Sequence, residues 1–274
     1  RLQNFHPHAV RRVEIPKPDG RMRPLGIPTM EDRIIQQCIK QVLEPICEAK
    51  FYKHSYGFRP NRSAHHAVAR AMFLVNISKY RFVVDVDIKG FFDNVNHGKL
   101  LKQLWTLGIR DKQLLCILSK MLKAPIQGEG VPAKGVPQGG ILSPLLSNVV
   151  LNELDWWISS QWGTFPTKTN YAHDLSRYQN LRRTSRMKEV FIVRYADDFK
   201  LFCKSRSDAE RLFTATTMWL KERLALEISP EKSKIVNLKK EYSDFLGFKL
   251  KLRPKRGKWV LKSHMADKAQ KKCK

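Results

Sequence analysis

The stretch from Val190 to Cys203, Val-Phe-Ile-Val-Arg-Tyr-Ala-Asp-Asp-Phe-Lys-Leu-Phe-Cys, constrains this chain more than any other. Two runs rich in β-branched and aromatic residues flank a pair of acids. The pattern predicts two strands joined by a tight hairpin, with Asp197 and Asp198 at its tip. Adjacent carboxylates repel unless a cation neutralises them, and a divalent metal is the usual partner. For an isolated Asp-Asp pair, a plain polar turn is the commoner explanation. The sharper reading needs a third carboxylate, a nucleotide site and a nucleic-acid surface elsewhere in the chain.

The third carboxylate is supplied by Arg81-Phe82-Val83-Val84-Asp85-Val86-Asp87-Ile88, which reads as a buried strand carrying two acids. Side chains alternate along a strand, so Asp85 and Asp87 share a face and periodicity does not choose between them. Carboxylates in so apolar a strand are costly unless paired or bound to metal. Phe91 and Phe92 follow where the strand gives way to a helix. Residues 11–28 predict two short strands around a Pro18-Asp19-Gly20 turn, with Arg11, Lys17, Arg21 and Arg23 clustered on the hairpin. Such a cluster suits a triphosphate, although a solvated basic ribbon accounts for it equally well. Residues 124–142 form a Gly- and Pro-punctuated hairpin and loop around Gln138, in which backbone can approach a ligand closely. The loop lacks the Gly-Lys-Ser/Thr of a P-loop, which argues against an ATPase. Ser143 and Pro144 open a long helix, as N-cap and first helical residue.

The polyanion surface follows from charge. With 51 Lys and Arg against 25 Asp and Glu, the net charge is +26. A chain this basic repels itself unless its partner is polyanionic, which puts nucleic acid first. No apolar run approaches the ~20 residues of a membrane span and no signal peptide opens the chain, so a membrane role is not expected and a cytoplasmic location is. The five scattered cysteines show no zinc spacing; Cys38, Cys47, Cys116 and Cys203 sit in apolar contexts expected to be buried. Tyr52 to Arg62 is a loop rich in aromatics and arginine, including Arg59 and Arg62, a mixture that holds and stacks on nucleic acid. Gly163 to Lys188 is polar and basic, with Arg182 and Arg183, and reads as a surface insertion or an RNA-contacting loop. Helices are expected over 32–50, 63–77, 97–107, 111–123 and 207–225. The chain opens on Arg1 and ends in a Lys-rich tail, as expected of a portion of something longer.

Together the elements run βαββαβ, an α+β class with an antiparallel sheet and helices on one face. That order places Asp87 and the Asp197-Asp198 pair at the ends of neighbouring strands, where three carboxylates suit two Mg²⁺ ions.

The ordered motifs resemble the reverse transcriptase domain of bacterial group II intron-encoded proteins, the intron maturases. Ile15-Pro16-Lys17-Pro18-Asp19-Gly20 with Arg23-Pro24-Leu25-Gly26-Ile27-Pro28 looks like the first fingers block. Tyr56-Gly57-Phe58-Arg59-Pro60 is similar to the second. Asp87-Ile88-Lys89-Gly90-Phe91-Phe92-Asp93 resembles the block bearing the first catalytic acid. Pro137-Gln138-Gly139-Gly140 with Ile-Leu-Ser-Pro, then Tyr-Ala-Asp-Asp, Ser229-Pro230-Glu231-Lys232-Ser233 and Phe245-Leu246-Gly247-Phe248 complete the series. The resemblance implies a right-hand polymerase with a ferredoxin-like palm: fingers over 1–80, palm over 81–123, a nucleotide-pocket hairpin over 124–142, and palm again over 143–274 with a basic insertion near 163–189. It implies that no thumb lies within this stretch.

The resemblance also selects Asp87 over Asp85 as metal ligand beside Asp197, with Asp198 more a support than a full ligand. It implies triphosphate contacts from Lys17, Arg23 and Arg11, a ribose gate at Phe91 with Phe92 as the alternative, a pocket wall at Gln138, a pyrophosphate acid at Lys232 and a primer grip at Leu246-Gly247. The implied cofactor is a pair of Mg²⁺ ions, with Mn²⁺ a substitute. The implied partners are RNA template, intron RNA, DNA primer and deoxynucleotides, with a homodimer left open. A catalytically silent splicing cofactor and a retron or diversity-generating reverse transcriptase are the alternatives.

Overall fold

The computed structural model describes residues 5–16, 20 and 22–266. The chain divides into two compact units, one comprising Arg1–Phe51, Lys89–Asn152 and Leu220–Glu227, the other Tyr52–Ile88, Glu153–Trp219 and Ile228–Lys274.

The first unit opens with an antiparallel hairpin of β1 (Arg11–Pro16) and β2 (Met22–Ile27). The expected strands are present; Lys17, Pro18, Asp19 and Arg21 lie outside the described residues. Helix α1 (Met30–Glu48) follows, capped by the Thr29 hydroxyl accepting from Asp32 N. A short α3 (Phe91–Asn94), α4 (His97–Thr106) and α5 (Lys112–Leu122) complete the helical layer with the first half of α6 (Ser143–Ser160). Their buried Leu43, Leu100, Leu104, Leu118 and Leu146 give each helix one apolar stripe.

The loop around Gln138 is strapped down in this unit. Gly26 N donates to Gln138 O (2.9 Å), and Ile141 N donates to Gln36 Oε1 on α1 (2.8 Å). The Ser143 hydroxyl donates to Pro137 O (2.6 Å). Gly139 has φ 125°, and a Cβ there would lie 2.7 Å from Gly26 O. Only glycine fits that approach.

The second unit is built on a four-stranded antiparallel sheet in the order β4–β5–β3–β6, formed by β3 (Phe82–Val86), β4 (Phe191–Tyr195), β5 (Asp198–Cys203) and β6 (Lys234–Asn237). Numbered within the sheet this is the 2-3-1-4 order of a ferredoxin-like fold, as the βαββαβ reading expects. Helix α8 (Arg206–Trp219) packs on β3, β5 and β6, and α2 (Ala64–Asn76) on β4. Strands covered on both faces read as near-continuous apolar runs, and Val83, Val84, Val193, Phe199, Leu201 and Phe202 are fully buried. A second sheet, β7 (Ser243–Phe245), β8 (Phe248–Lys255) and β9 (Lys258–Met265), closes the unit.

Three local expectations change. The basic insertion is not all loop: it holds helix α7 (Asp174–Thr184), whose few apolar residues gave no helical stripe to detect. The helix expected over 207–225 ends at Trp219 and continues as a π-helical turn, Leu220–Leu224. Cys38 and Cys116 are exposed, whereas Cys47 and Cys203 are buried.

Candidate active site

In the second unit, β3 and β5 pair with Val86 opposite Phe199, so the next residue along, Asp87, comes level with Asp198. Tyr195 pairs with Asp198, which makes Ala196-Asp197 a two-residue turn at the same end of the sheet. The three acids singled out by sequence therefore share one sheet end. Loss of hydration, reinforced by the charges of Asp85, Asp197 and Asp87 against the relief of Lys200, pushes the Asp198 carboxyl up to about 6. Its side chain has an open face to solvent, so among these causes the crowding of like charges is the one a bound cation would relieve.

The turn is fixed from below. Arg194, which precedes it, is fully buried and bidentate to the equally buried Asp155 of α6, with bonds of 2.7–3.0 Å. Burial raises the Asp155 carboxyl while the guanidinium opposes that shift. The same guanidinium donates to Ala196 O (2.8 Å), gripping the turn's backbone. Ala196 itself has φ 57°, a left-handed conformation that costs an alanine roughly 1 kcal/mol or more.

The turn is also fixed from the side by the loop preceding α2. Tyr56 N donates to Arg194 O (2.8 Å), and Arg194 N donates to His54 O (3.1 Å). A Cβ on Gly57 would collide with Ala196 N and lie 2.8 Å from Tyr195 C. Arg59 is buried, its guanidinium donating to Tyr52 O (2.8 Å) and Ser55 O (2.9 Å), so this arginine braces the loop from within. Arg62 donates to Lys53 O and lies over the Tyr56 ring. His54 is held neutral, burial and nearby cations lowering it to about 3.

Asp87 is bracketed by the segment starting at Ser229. Ser229 N donates to Asp87 O (2.8 Å), and Asp87 N donates to the Ser233 hydroxyl (3.1 Å). The Lys232 ammonium between them lies 3.6 Å from Asp87 Oδ1, both side chains nearly half exposed. Asp85, by contrast, is tied to Lys200 (2.8 Å) and to the Ser243 hydroxyl (3.0 and 3.1 Å). Leu246 (φ 51°) and Gly247 (φ 84°) form the two-residue turn between β7 and β8. Arg182 is bidentate to Glu189, which also accepts from Lys204 and from Tyr80 (2.5 Å). Burial opposes ionisation of Glu189, yet these donors bring it down to about 2. Arg183 is exposed on α7.

The remaining candidates belong to the first unit. Arg11 is exposed on β1, Arg23 lies within β2 and Gln138 is half-buried; Lys17 falls outside the described residues. Phe91 is 2% exposed and stacked edge-on with Phe92 (centroids 5.3 Å), which is half-exposed. Sequence reading missed Arg194, Asp155, Gly57, Ser229 and Ser233 as parts of this construction. A charged residue in an apolar strand, and another in the apolar helix α6, were the available signals.

Among the described residues no group of three His, Cys, Asp or Glu converges as a ready-made metal cage. Mg²⁺ seldom uses one: it takes one or two carboxylates and completes its shell with water and substrate phosphates. Carboxylates at one sheet end, one of them raised by burial and by its acidic neighbours, fit that donor set.

Residues 15–250 match the reverse transcriptase (RNA-dependent DNA polymerase) family, and the chain belongs to that family. Among its relatives, the group II intron-encoded protein LtrA of Lactococcus lactis subsp. cremoris is 33% identical over 290 residues, covering 91% of this chain and 48% of LtrA. Protein YkfC of Escherichia coli K12 is 34% identical over 260 residues, covering 90% of this chain and 68% of YkfC. The structure of Candida albicans telomerase in complex with a TWJ fragment of telomeric RNA superposes with a TM-score of 0.60 at 14% identity, over 91% of this chain and 45% of that one. That likeness is one of fold, the fingers and palm of a reverse transcriptase. The chain spans about half the length of LtrA and of the telomerase chain.

Proposed function

We propose that this chain is the fingers and palm of an RNA-directed DNA polymerase of a group II intron protein, extending a DNA primer on an RNA template. What supports the reading is that Asp87, Asp197 and Asp198 stand at the same end of the ferredoxin-like sheet. Asp87 and Asp197 would hold two Mg²⁺ ions, with Asp198 in support. Bound divalent cations supply charge neutralisation at the triphosphate and acidify the primer 3′-hydroxyl.

The chain's own residues do the rest. The Lys232 Nζ, 3.6 Å from Asp87 and open to solvent, gives a proton to the departing pyrophosphate. The Leu246-Gly247 turn holds the primer strand. Arg11, Lys17 and Arg23 are the proposed triphosphate contacts, and Gln138 the proposed border of the base. For the ribose gate, expected at Phe91 from the resemblance, the half-exposed Phe92 is the better-supported candidate, since Phe91 is 2% exposed. Arg62 and Arg183, with Arg182 at the edge of its Glu189 pairing, face RNA; Arg59 is committed to its own loop. Binding of intron RNA would let the same protein assist splicing and retrohoming.

The test is primer extension on an RNA template with Mg²⁺ and deoxynucleotides, using protein extended downstream and Asp197→Ala alongside. DNA product from the parent alone is expected, with RNA affinity equal in both. Absence of product from the parent, with tight RNA binding retained, would instead identify a splicing cofactor.

A further inference from the structure

The second unit has a cavity of about 510 Å³ far from its acids, lined by Val75, Lys79, Arg81, Leu252, Lys258 and Trp259 among others. Arg81 stands at the start of β3 and Asp87 just past its end, so the cavity and the acids lie at opposite ends of a strand roughly 15–20 Å long. The floor is apolar, from Val75 and Leu252, both buried. No acid lines it. Lys79, Arg81 and Lys258 have no carboxylate partner among the described residues. Trp259 is 43% exposed, and the Lys239 ammonium sits 4.6 Å from its ring centroid.

We propose that this cavity is a second nucleic-acid site, taking one unstacked base of single-stranded RNA against Trp259 with the flanking phosphates on Lys79, Arg81 and Lys258. The volume lies within the ~300–1,000 Å³ of small-ligand pockets, ample for a base. A nucleotide matches both halves of the lining, because its flat base buries apolar surface while its phosphate answers the cations. An acidic peptide would answer the cations but leave the indole and the apolar floor uncovered. Duplex RNA keeps its bases stacked and has none to offer. The site holds RNA away from the chemistry, and it does not depend on the polymerase assignment.

Fluorescence anisotropy with labelled single-stranded RNA tests it, using Trp259→Phe, Trp259→Leu and the Lys79→Ala/Arg81→Ala/Lys258→Ala triple variant. Trp259→Leu keeps an apolar plug without a ring and is expected to weaken binding about five- to hundredfold, while Trp259→Phe stays within about threefold of the parent. The triple variant is expected to flatten the slope of log affinity against log salt by about 2, or ~0.7 per lost phosphate contact. Asp197→Ala binds this RNA like the parent whatever its effect on synthesis, which separates this site from the polymerase reading. The proposal is overturned if the Leu and Phe variants behave alike, if the triple variant keeps the parent's salt slope, or if a polyglutamate peptide competes as well as RNA.

Discussion

Asp85 and Asp87 stand two residues apart along one chain run and meet opposite conditions. Asp85 is enclosed: its side chain is 11% exposed, that of its partner Lys200 is 4% exposed, and the Ser243 hydroxyl reaches across from the second sheet. The Lys200 ammonium also lies over the buried Phe245 ring. Asp87 has its backbone gripped on both sides by Ser229 and Ser233, yet its carboxylate is 44% exposed with only a longer contact to Lys232. One acid is satisfied by the fold; the other is held in place with coordination capacity to spare. Fixing the backbone while leaving the carboxylate open is how a fold prepares a ligand for something it does not itself contain.

Substitutions sharpen that contrast in descending order of effect. Asp87→Asn is expected to lower primer extension by roughly a thousandfold or more, the several kcal/mol that charge neutralisation contributes, with the melting temperature nearly unchanged. Steady-state extension and a thermal melt on the same preparation check it; a melt that falls as far as activity would erase the distinction between the two acids. Asp85→Asn leaves the Lys200 ammonium buried without its counter-charge, and should destabilise the fold by about 3–5 kcal/mol, read from chemical denaturation. Asp155→Asn should behave likewise through Arg194, but with an added loss of turnover, because Arg194 also holds the turn at Ala196. Gly57→Ala displaces that turn without touching any acid. Displacement by about 1 Å predicts a kcat near a hundredfold lower at unchanged RNA affinity, measured by single-turnover extension.

The smallest effect concerns pH. Glu189 sits at about 2 in the folded chain against an ordinary 4.5, so its ion pairs stabilise fully above pH 4.5 and fade as pH falls towards 2. Thermal melts across that window should show the parent losing its advantage over Glu189→Gln, and parallel curves would contradict the assignment.

Much of this was legible in the sequence. The hairpin, its acids and the antiparallel order of strands followed from period-two patterning and the apolar runs around Asp197. Patterning did not choose between Asp85 and Asp87; the resemblance did, and the partners that occupy Asp85, Lys200 and Ser243, are brought to β3 by pairing and by a second sheet, which patterning does not show. Helix α7 escaped notice for a related reason: it is held by Arg182–Glu189 and Lys53–Asp174 ion pairs more than by an apolar stripe. Gly57 read as a loop glycine, and only the backbone of Ala196 pressed against it explains why no side chain fits there.

That pressing together has a kinetic side. The turn bearing Asp197 owes its shape to residues 57 and 155, both remote in the chain from residue 196, and its own left-handed Ala196 resists closing alone. Local strand pairing of β4 with β5 can form early, but the reactive tip acquires its final geometry only when those distant segments have docked. The final shape of the turn is therefore set by contacts of long sequence separation. A molecule folded everywhere but in the loop at residue 57 would have its sheet and lack the final shape of that turn.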